Sequence, residues 1–259
     1  MPFTLSHPAA VLPLARTKLV FSAMVAGALA PDIGHFVMDS SLGSESHSLP
    51  GLFSICLPVG LVLLLLFHKL LKSPLLALLP SGHQARLYPF AQGFRFMPLP
   101  RSALIVFSVL VGSVTHLMWD SFTHDTGWVV VRVQALRESL LLMPHHAMPV
   151  YKILQLGSTV AGLLILAVAY LLWFRKAKPT SVDLPKLPGL AKVAIACSML
   201  AGATAAALLR TTPPVVSRQT IRPNVVNGGV TFVSAFVLEA IVFGLLWHFS
   251  RDRDGGVLS

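Results

Sequence analysis

Two histidines and one aspartate recur at four-residue intervals at the end of an apolar segment. His116, Asp120 and His124 follow the run SALIVFSVLVGSVT, residues 102–115. On an α-helix, residues four apart share one face and lie about 6 Å apart. The spacing therefore stacks the three side chains if the helix continues to residue 124. Three ionisable groups on one face of an apolar helix indicate a functional site. The alternative is an interhelical hydrogen-bond network.

Further imidazoles and one more carboxylate flank other apolar segments. The candidates are His7 in LSHPAA, Asp32 and His35 in LAPDIGHF, and His47 in SESHSLPG. Aspartate is unfavourable at a helix C-terminus, where the macrodipole is negative, so Asp32 is interpreted as a ligand. His7 alternatively belongs to a helix N-terminus, because a proline follows it, and His47 alternatively is an interface residue. His35 is predicted either as an additional ligand or as support for one.

This set of residues predicts a divalent metal site. An aspartate at membrane depth costs about 2.5–3.5 kcal/mol unless it has partners, and a cation would satisfy all of these groups. Imidazole and carboxylate suit zinc, manganese or iron, and the absence of cysteine argues against a purely structural zinc site. Asp32 and Asp120 would neutralise one divalent ion. A second ion would need a bridging hydroxide or an anionic substrate.

The elements that must position these residues are membrane helices. Of the 259 residues, 54% are hydrophobic and 12% are charged, against roughly 25% charged in a soluble domain. Runs of about 20 apolar residues span a bilayer. We predict an all-α, multi-pass transmembrane helical bundle with five or six spans. They are 51–68, 103–119, 150–174, 189–209 and 229–249, with a shorter sixth candidate at 19–31.

The distance between His7 and Asp32 requires a break in the N-terminal segment. A straight helix over residues 8–31 would be about 36 Å long and would separate the two residues by the thickness of the membrane. Pro13 and the charged pair Arg16 and Lys18 allow a break at that point. We therefore expect a short first helix that folds back toward Asp32.

The lysines and arginines predict the orientation of the spans. The formal net charge is +10; twelve basic residues follow connections on one side and six on the other, before Arg16 and Lys18 are counted. The positive-inside rule places the richer side in the cytoplasm and the His/Asp cluster near the outer face of a bacterial inner membrane. No basic-aromatic surface indicates a nucleic-acid partner. The expected partner is membrane lipid.

Two further segments complete the predicted organisation. The stretch 129–143 has polar residues among apolar ones, which suits an interfacial helix on the outer face. Residues 1–175 form the predicted membrane-embedded domain that carries the cluster. Residues 176–259 are predicted to add two C-terminal transmembrane helices without candidate ligands.

Several motifs carry a resemblance to known families. MPFTLSHPAAVLPL, APDIGHF, SHSLPGLFSICLPVGLVLLLLFHKLL, THLMWDSFTHDTGW and PVYKILQLGS resemble an uncharacterised bacterial multi-pass membrane family, domain of unknown function 4184, over about residues 1–175. Their order is similar to that of membrane-bound metal-dependent hydrolases and, more distantly, of zinc-dependent phospholipases C. The resemblance implies metal ligation by His7, Asp32, His47, His116 and Asp120, and by His124 in the phospholipase-like version. Gly34 stands where the hydrolase pattern has an aspartate, which favours one metal over two.

The expected function follows from the site and its depth. A metal-bound water acidified to near neutral pH is a nucleophile. We therefore expect a membrane-bound metal-dependent hydrolase that holds zinc or manganese and acts on a phosphoester of a lipid or lipid-linked substrate. The alternative is a non-enzymatic membrane protein, a transporter or assembly factor, with a structural metal site or proton relay.

Overall fold

The computed structural model describes residues 4–37, 40–143, 146–180, 187–211 and 218–253. These residues are almost entirely helical, which confirms the all-α class. Five helices are long and apolar enough to cross a membrane, and they match the five long predicted spans. They are Leu49–Leu78, Leu99–Arg132, Val150–Lys176, Gly189–Thr211 and Asn227–Ser250. The α-helix in the segment 19–31 is α1, Phe21–Leu29, and a 3-10 turn begins at Ala30. At about 13 Å this helix is too short to cross a core of about 30 Å.

The N-terminal segment folds back as the position of His7 requires. A 3-10 helix covers Thr4–Arg16 and contains Pro8 and Pro13. The chain bends over residues 17–19 before α1 begins. The Thr4 hydroxyl donates a hydrogen bond to Asp32 Oδ2 over 2.6 Å. The start of the 3-10 helix therefore lies beside the residues that follow α1, and the predicted break is confirmed.

Small residues join α1 to the helix that carries the candidate cluster, α6, Leu99–Thr123. A methyl group added to Gly27 would overlap the Val109 carbonyl oxygen, and one added to Gly112 would overlap the Met24 carbonyl oxygen. The two backbones therefore approach in a way that only glycine permits. Ser113 Oγ donates to the Gly27 carbonyl over 3.0 Å and fixes the register of the two helices.

Short helices carry the chain from α1 to the first span. They are a 3-10 turn Ala30–Asp32, α2 Ile33–Phe36, α3 Ser40–Ser46, and α4 Leu49–Leu78, which includes two π-helical stretches. Ser46 Oγ donates to the Pro31 carbonyl over 2.6 Å. The Ser48 side chain caps the start of α4 by accepting from Gly51 N. These bonds hold the residue between the two serines, His47, beside Asp32.

The prediction of an interfacial helix over 129–143 is wrong. A short helix α7, Trp128–Arg132, and a 3-10 turn, Gln134–Leu136, are followed by the strand β1, Ser139–Met143. This strand pairs antiparallel with β2, His146–Pro149. The branched residues at 129–131 and 133 and the leucines at 140–142 pack in a strand as readily as in a helix, so tertiary context decides.

The chain forms two compact units. The first comprises the described parts of residues 1–34, 39–64 and 95–176, including α8, Val150–Lys176, and it holds all candidate ligands except His35. The second comprises the described parts of residues 35–38, 65–94 and 177–259. It contains α5 Ser81–Ala91, α9 Gly189–Thr211 and α10 Arg218–Arg253. In this second unit Lys192 Nζ donates to the Leu79 carbonyl over 2.7 Å.

Candidate metal centre

Four of the predicted ligands converge at one point of the first unit. Asp32, His47, His116 and Asp120 each offer one ligand atom, and these atoms lie within 4.8 Å of one another. His116 Nε2 is 3.2 Å from Asp120 Oδ2 and 3.6 Å from Asp32 Oδ1. His47 Nε2 is 3.3 Å from Asp120 Oδ2 and 3.9 Å from Asp32 Oδ1. Bonds of about 2.0–2.2 Å to one ion place tetrahedral ligand atoms roughly 3.3–3.6 Å apart, so the cluster has the dimensions of a metal site.

Each element contributes its ligand for a local reason. His116 and Asp120 lie one turn apart on α6, as their spacing predicts. Asp32 ends the 3-10 turn that follows α1, where Pro31 helps to stop the α-helix. His47 lies between α3 and the capped start of α4. Three separate segments of the chain therefore supply one cluster.

In three of these side chains, the outer polar atom, which points away from the centre of the cluster, is held by a hydrogen bond. His116 Nδ1 lies 2.7 Å from the Ala28 carbonyl oxygen, and His47 Nδ1 lies 2.8 Å from the Gly43 carbonyl oxygen. A carbonyl only accepts, so both Nδ1 atoms carry a hydrogen, and in the neutral rings both Nε2 atoms have a lone pair for an ion. Thr4 occupies Asp32 Oδ2 and leaves Oδ1 facing inward. Metal-binding histidines and carboxylates are commonly supported in this way.

The inner polar atoms, which face the centre of the cluster, have few hydrogen-bond partners. Among the residues that the structure describes, Asp32 Oδ1, Asp120 Oδ1, His116 Nε2 and both nitrogens of His7 are buried without a hydrogen bond. Buried polar atoms of this kind are costly unless something satisfies them. The donor set of two imidazoles and two carboxylates suits a borderline or hard divalent cation. These residues therefore fit a metal ion.

The charges of the cluster agree with this arrangement. Burial opposes ionisation of Asp32, but the neighbouring His116 and Thr4 outweigh it and leave the pKa of Asp32 below its ordinary value. Burial likewise lowers the pKa of His47, but Asp120 and the Gly43 carbonyl outweigh it and raise the pKa above the ordinary value. Without a metal ion, the cluster thus contains an ionised Asp32 carboxylate and a His47 imidazole that binds protons readily. A cation would compete with these protons for the same ligand atoms.

His7 lies against the cluster without joining the group of four. Its ring stacks on the His116 ring with centroids 3.8 Å apart, and its Nε2 is 3.6 Å from Asp120 Oδ1. Burial and the neighbouring His116 lower the pKa of His7 to about 4. The imidazole is therefore neutral at physiological pH and has a lone pair to offer. Its role as a ligand stays a prediction.

His124 occupies the opposite side of the Asp120 carboxylate. The helix α6 ends at Thr123, and His124 is extended, with φ −116° and ψ 146°. It therefore leaves the regular face on which His116 and Asp120 lie. Its Nδ1 is 3.4 Å from Asp120 Oδ1. Direct ligation by His124 stays a prediction.

Several residues that support the cluster were not predicted from the sequence, and one predicted side chain lies outside the described part of the chain. The backbone of His35 lies in α2, but its side chain is outside the described part of the chain. Thr4 was missed because its hydrogen bond joins it to Asp32, 28 residues further along the chain, and no local spacing indicates such a contact. Gln155 of α8, which accepts a hydrogen bond from Lys152, was missed because it approaches His124 only in the folded chain.

Comparison with known proteins identifies a family. No curated protein and no solved structure matches the chain. The limit of the resemblance at residue 175 is wrong, because the family match extends to residue 245 and includes α9 and most of α10. The C-terminal spans are thus part of the family's domain. The chain belongs to the family described as domain of unknown function (DUF4184), whose model matches residues 1–245.

Proposed function

We propose that this protein is a membrane-bound metal-dependent hydrolase that holds zinc or manganese between Asp32, His47, His116 and Asp120. One observation carries the proposal. Four ligand atoms lie within 4.8 Å of one another, while the outer atoms of His116, His47 and Asp32 are tied to other groups. A hydrogen-bond network that served only for stability would satisfy its inner atoms instead.

The charge of the cluster supports one divalent ion. Two buried carboxylates carry two negative charges, which one divalent cation neutralises. Cys56 does not compete as a soft ligand, because its Sγ donates to the Ser46 carbonyl over 3.2 Å. Nitrogen and oxygen ligands without thiolate are typical of catalytic zinc and of manganese sites.

The access to the cluster supports catalysis. The His47 side chain is 28% exposed, whereas Asp32 and His116 are almost completely buried. A bound divalent ion would supply Lewis acidity at this partly open side. His7 Nε2, which is neutral and has no hydrogen bond among the described residues, lies 3.6 Å from Asp120 Oδ1 and has a lone pair to accept a proton. These groups match the needs of hydrolysis.

The position of the cluster in the chain supports a lipid or lipid-linked phosphoester as substrate. His47 lies just before the start of α4, and His116 and Asp120 lie in the last turns of α6, where headgroups are expected. Phosphate oxygens are natural partners for a divalent ion. The lysine and arginine bias puts this level at the outer face. A reporter fused at Lys178 should therefore score cytoplasmic, and one inserted near residue 145 should score external; the reverse result would exclude outer-leaflet substrates.

The alternative is a non-enzymatic transporter or assembly factor with a structural metal site or proton relay. Its supporting observation is the deep burial of Asp32 and His116, since a structural site is closed by protein ligands. The two functions differ in one measurable respect. A hydrolase needs an open coordination position and turns over a phosphoester, whereas a closed site holds its ion without turnover.

The test is the metal content of detergent-purified protein, followed by phosphoester hydrolysis in mixed micelles. We expect about one equivalent of zinc or manganese in the wild type and none in Asp120→Asn. Asp125→Asn is the matched control, because Asp125 is exposed two residues beyond the end of α6. Wild-type protein that is helical by circular dichroism but free of transition metal would exclude the hydrolase. Bound metal without hydrolysis would favour the alternative.

A further inference from the structure

A chain of polar side chains leads from the cluster to the third membrane span. His124 Nε2 lies 3.4 Å from Gln155 Nε2 on α8, and Gln155 Oε1 accepts a hydrogen bond from Lys152 Nζ. Gln155 is only 2% exposed although the helix around it is apolar. Burying an amide side chain in a membrane span costs free energy unless the amide has hydrogen-bond partners.

The donors and acceptors along this chain have only one consistent arrangement. The lysine ammonium can only donate, so it fixes the oxygen of the Gln155 amide toward Lys152. The Gln155 NH₂ group then faces His124 and must donate to it. His124 Nε2 is therefore the accepting nitrogen, and Nδ1 carries the ring hydrogen.

The hydrogen on His124 Nδ1 faces Asp120. Nδ1 lies 3.3 Å from the Asp120 carbonyl oxygen and 3.4 Å from Asp120 Oδ1, and both oxygens are acceptors. The backbone N–H of His124 donates to the same carbonyl over 3.1 Å. His124 is thus held at the end of α6 with its N–H directed at Asp120.

We propose that His124 is a positioning residue for Asp120, with its tautomer set by Gln155 and Lys152, and that it does not bind the metal ion. The inference rests on the proposed metal centre. An imidazole whose Nε2 accepts from an amide, and whose Nδ1 carries the hydrogen, has no lone pair left for an ion. Its Nδ1 lies on the Oδ1 side of the carboxylate, 3.4 Å from that oxygen, which leaves Oδ2 for the ion near His47 and His116.

The first test needs no metal and is therefore independent of the proposed function. Nitrogen NMR of histidine-labelled protein without metal should report His124 with hydrogen on Nδ1 and a free Nε2. In Gln155→Leu this fixed tautomer should be lost. Hydrogen on Nε2 of His124 in the wild type would overturn the inference, even if the protein binds metal.

The second test uses Co²⁺ as a spectroscopic probe of the ligands. His124→Ala and Gln155→Leu should each weaken Co²⁺ binding by about 10–100-fold and leave the visible absorption spectrum unchanged. The double variant should bind Co²⁺ no more weakly than whichever single variant has the lower affinity, because both substitutions act through one contact. His47→Ala should change the spectrum or abolish binding. A changed spectrum in His124→Ala would make His124 a ligand and overturn the inference.

Two controls separate positioning from stability. Gln84→Leu removes another buried glutamine, which donates to the Ala77 carbonyl over 2.8 Å in the second unit, and it should leave Co²⁺ affinity unchanged. Lys152→Met should reproduce part of the loss seen in Gln155→Leu, and Lys152→Arg should restore binding because arginine also only donates. Equal Co²⁺ affinity in Gln155→Leu and wild type would overturn the inference without affecting the metal centre.

Discussion

Two histidines, one in each unit, contact a backbone carbonyl oxygen, yet their surroundings differ. His116 Nδ1 lies 2.7 Å from the Ala28 carbonyl, and its second nitrogen faces Asp32 and Asp120. His248 Nε2 lies 3.2 Å from the Leu70 carbonyl, and no described carboxylate forms an ion pair with it. The same contact supports a candidate ligand in one unit and only joins two segments in the other.

The difference shows that a polar residue in an apolar helix does not by itself identify a site. Glu239 in α10 also has a buried oxygen without a partner among the described residues. It packs against Gly202 of α9, and among the described residues it belongs to no group of three or more potential metal ligands. Polar side chains often stabilise helix pairs in membranes. Convergence of several ligand atoms is what separates the first unit from the second.

The largest expected effect tests the two histidines directly. His116→Ala should abolish zinc or manganese binding, because it removes a ligand and exposes two carboxylates to each other. His248→Ala should keep the wild-type metal content, since it loses only one hydrogen bond. Elemental analysis of both purified variants measures this. Equal metal loss in the two would remove the distinction between the units.

A second comparison concerns the backbone contact that supports the cluster. Gly112→Ala should lower the free energy of unfolding by about 1–3 kcal/mol, because the new methyl group would overlap the Met24 carbonyl. The methyl group added by Gly229→Ala in α10 meets nothing within 4 Å. This variant should raise the free energy of unfolding by about 0.5–1 kcal/mol, since alanine favours a helix. Denaturant unfolding in detergent measures both. The same sign in both variants would contradict the close approach of α1 and α6.

The supporting hydroxyl of Thr4 gives a smaller effect. Thr4→Val keeps the shape but loses the hydrogen bond to Asp32, and it should weaken metal binding by about tenfold. The control is Thr204→Val in the second unit, which loses only a bond to the carbonyl of Leu200 on its own helix. Competition with a chelator measures both affinities. A Thr4→Val affinity equal to that of the wild type would show that Asp32 is oriented without Thr4.

Metal binding is also expected to depend on pH. The pKa of His47 is raised, so the ion must displace a proton once the pH lies below that pKa. Each displaced proton weakens binding by about tenfold per pH unit as the pH falls. His7 contributes nothing above pH of about 4, where it is already neutral. Chelator competition at several pH values between 5 and 8 measures the slope; affinity independent of pH would contradict the raised pKa.

Local periodicity allowed a large part of this structure to be predicted from the sequence. Length and hydropathy identified all five spans, because a membrane helix satisfies its own backbone and needs only about 20 apolar residues. The spacing of His116 and Asp120 predicted their common face, because residues four apart lie on the same side of an α-helix. The charged residues Arg16 and Lys18 correctly indicated the break that brings the N-terminal segment back to Asp32, whereas Pro13 lies inside the 3-10 helix.

The tertiary structure decided what periodicity cannot reach. His124 left the face of α6 because the helix ends one residue earlier, and its orientation depends on contacts with α8. The strand β1 replaced the second half of the predicted interfacial helix because pairing with the neighbouring strand β2 outweighs weak local preference. The sequence alone determined which residues could bind a metal. Only the fold decided which of their atoms face one another, because that depends on hydrogen bonds such as those of Thr4 and Ala28, made between residues far apart in the chain.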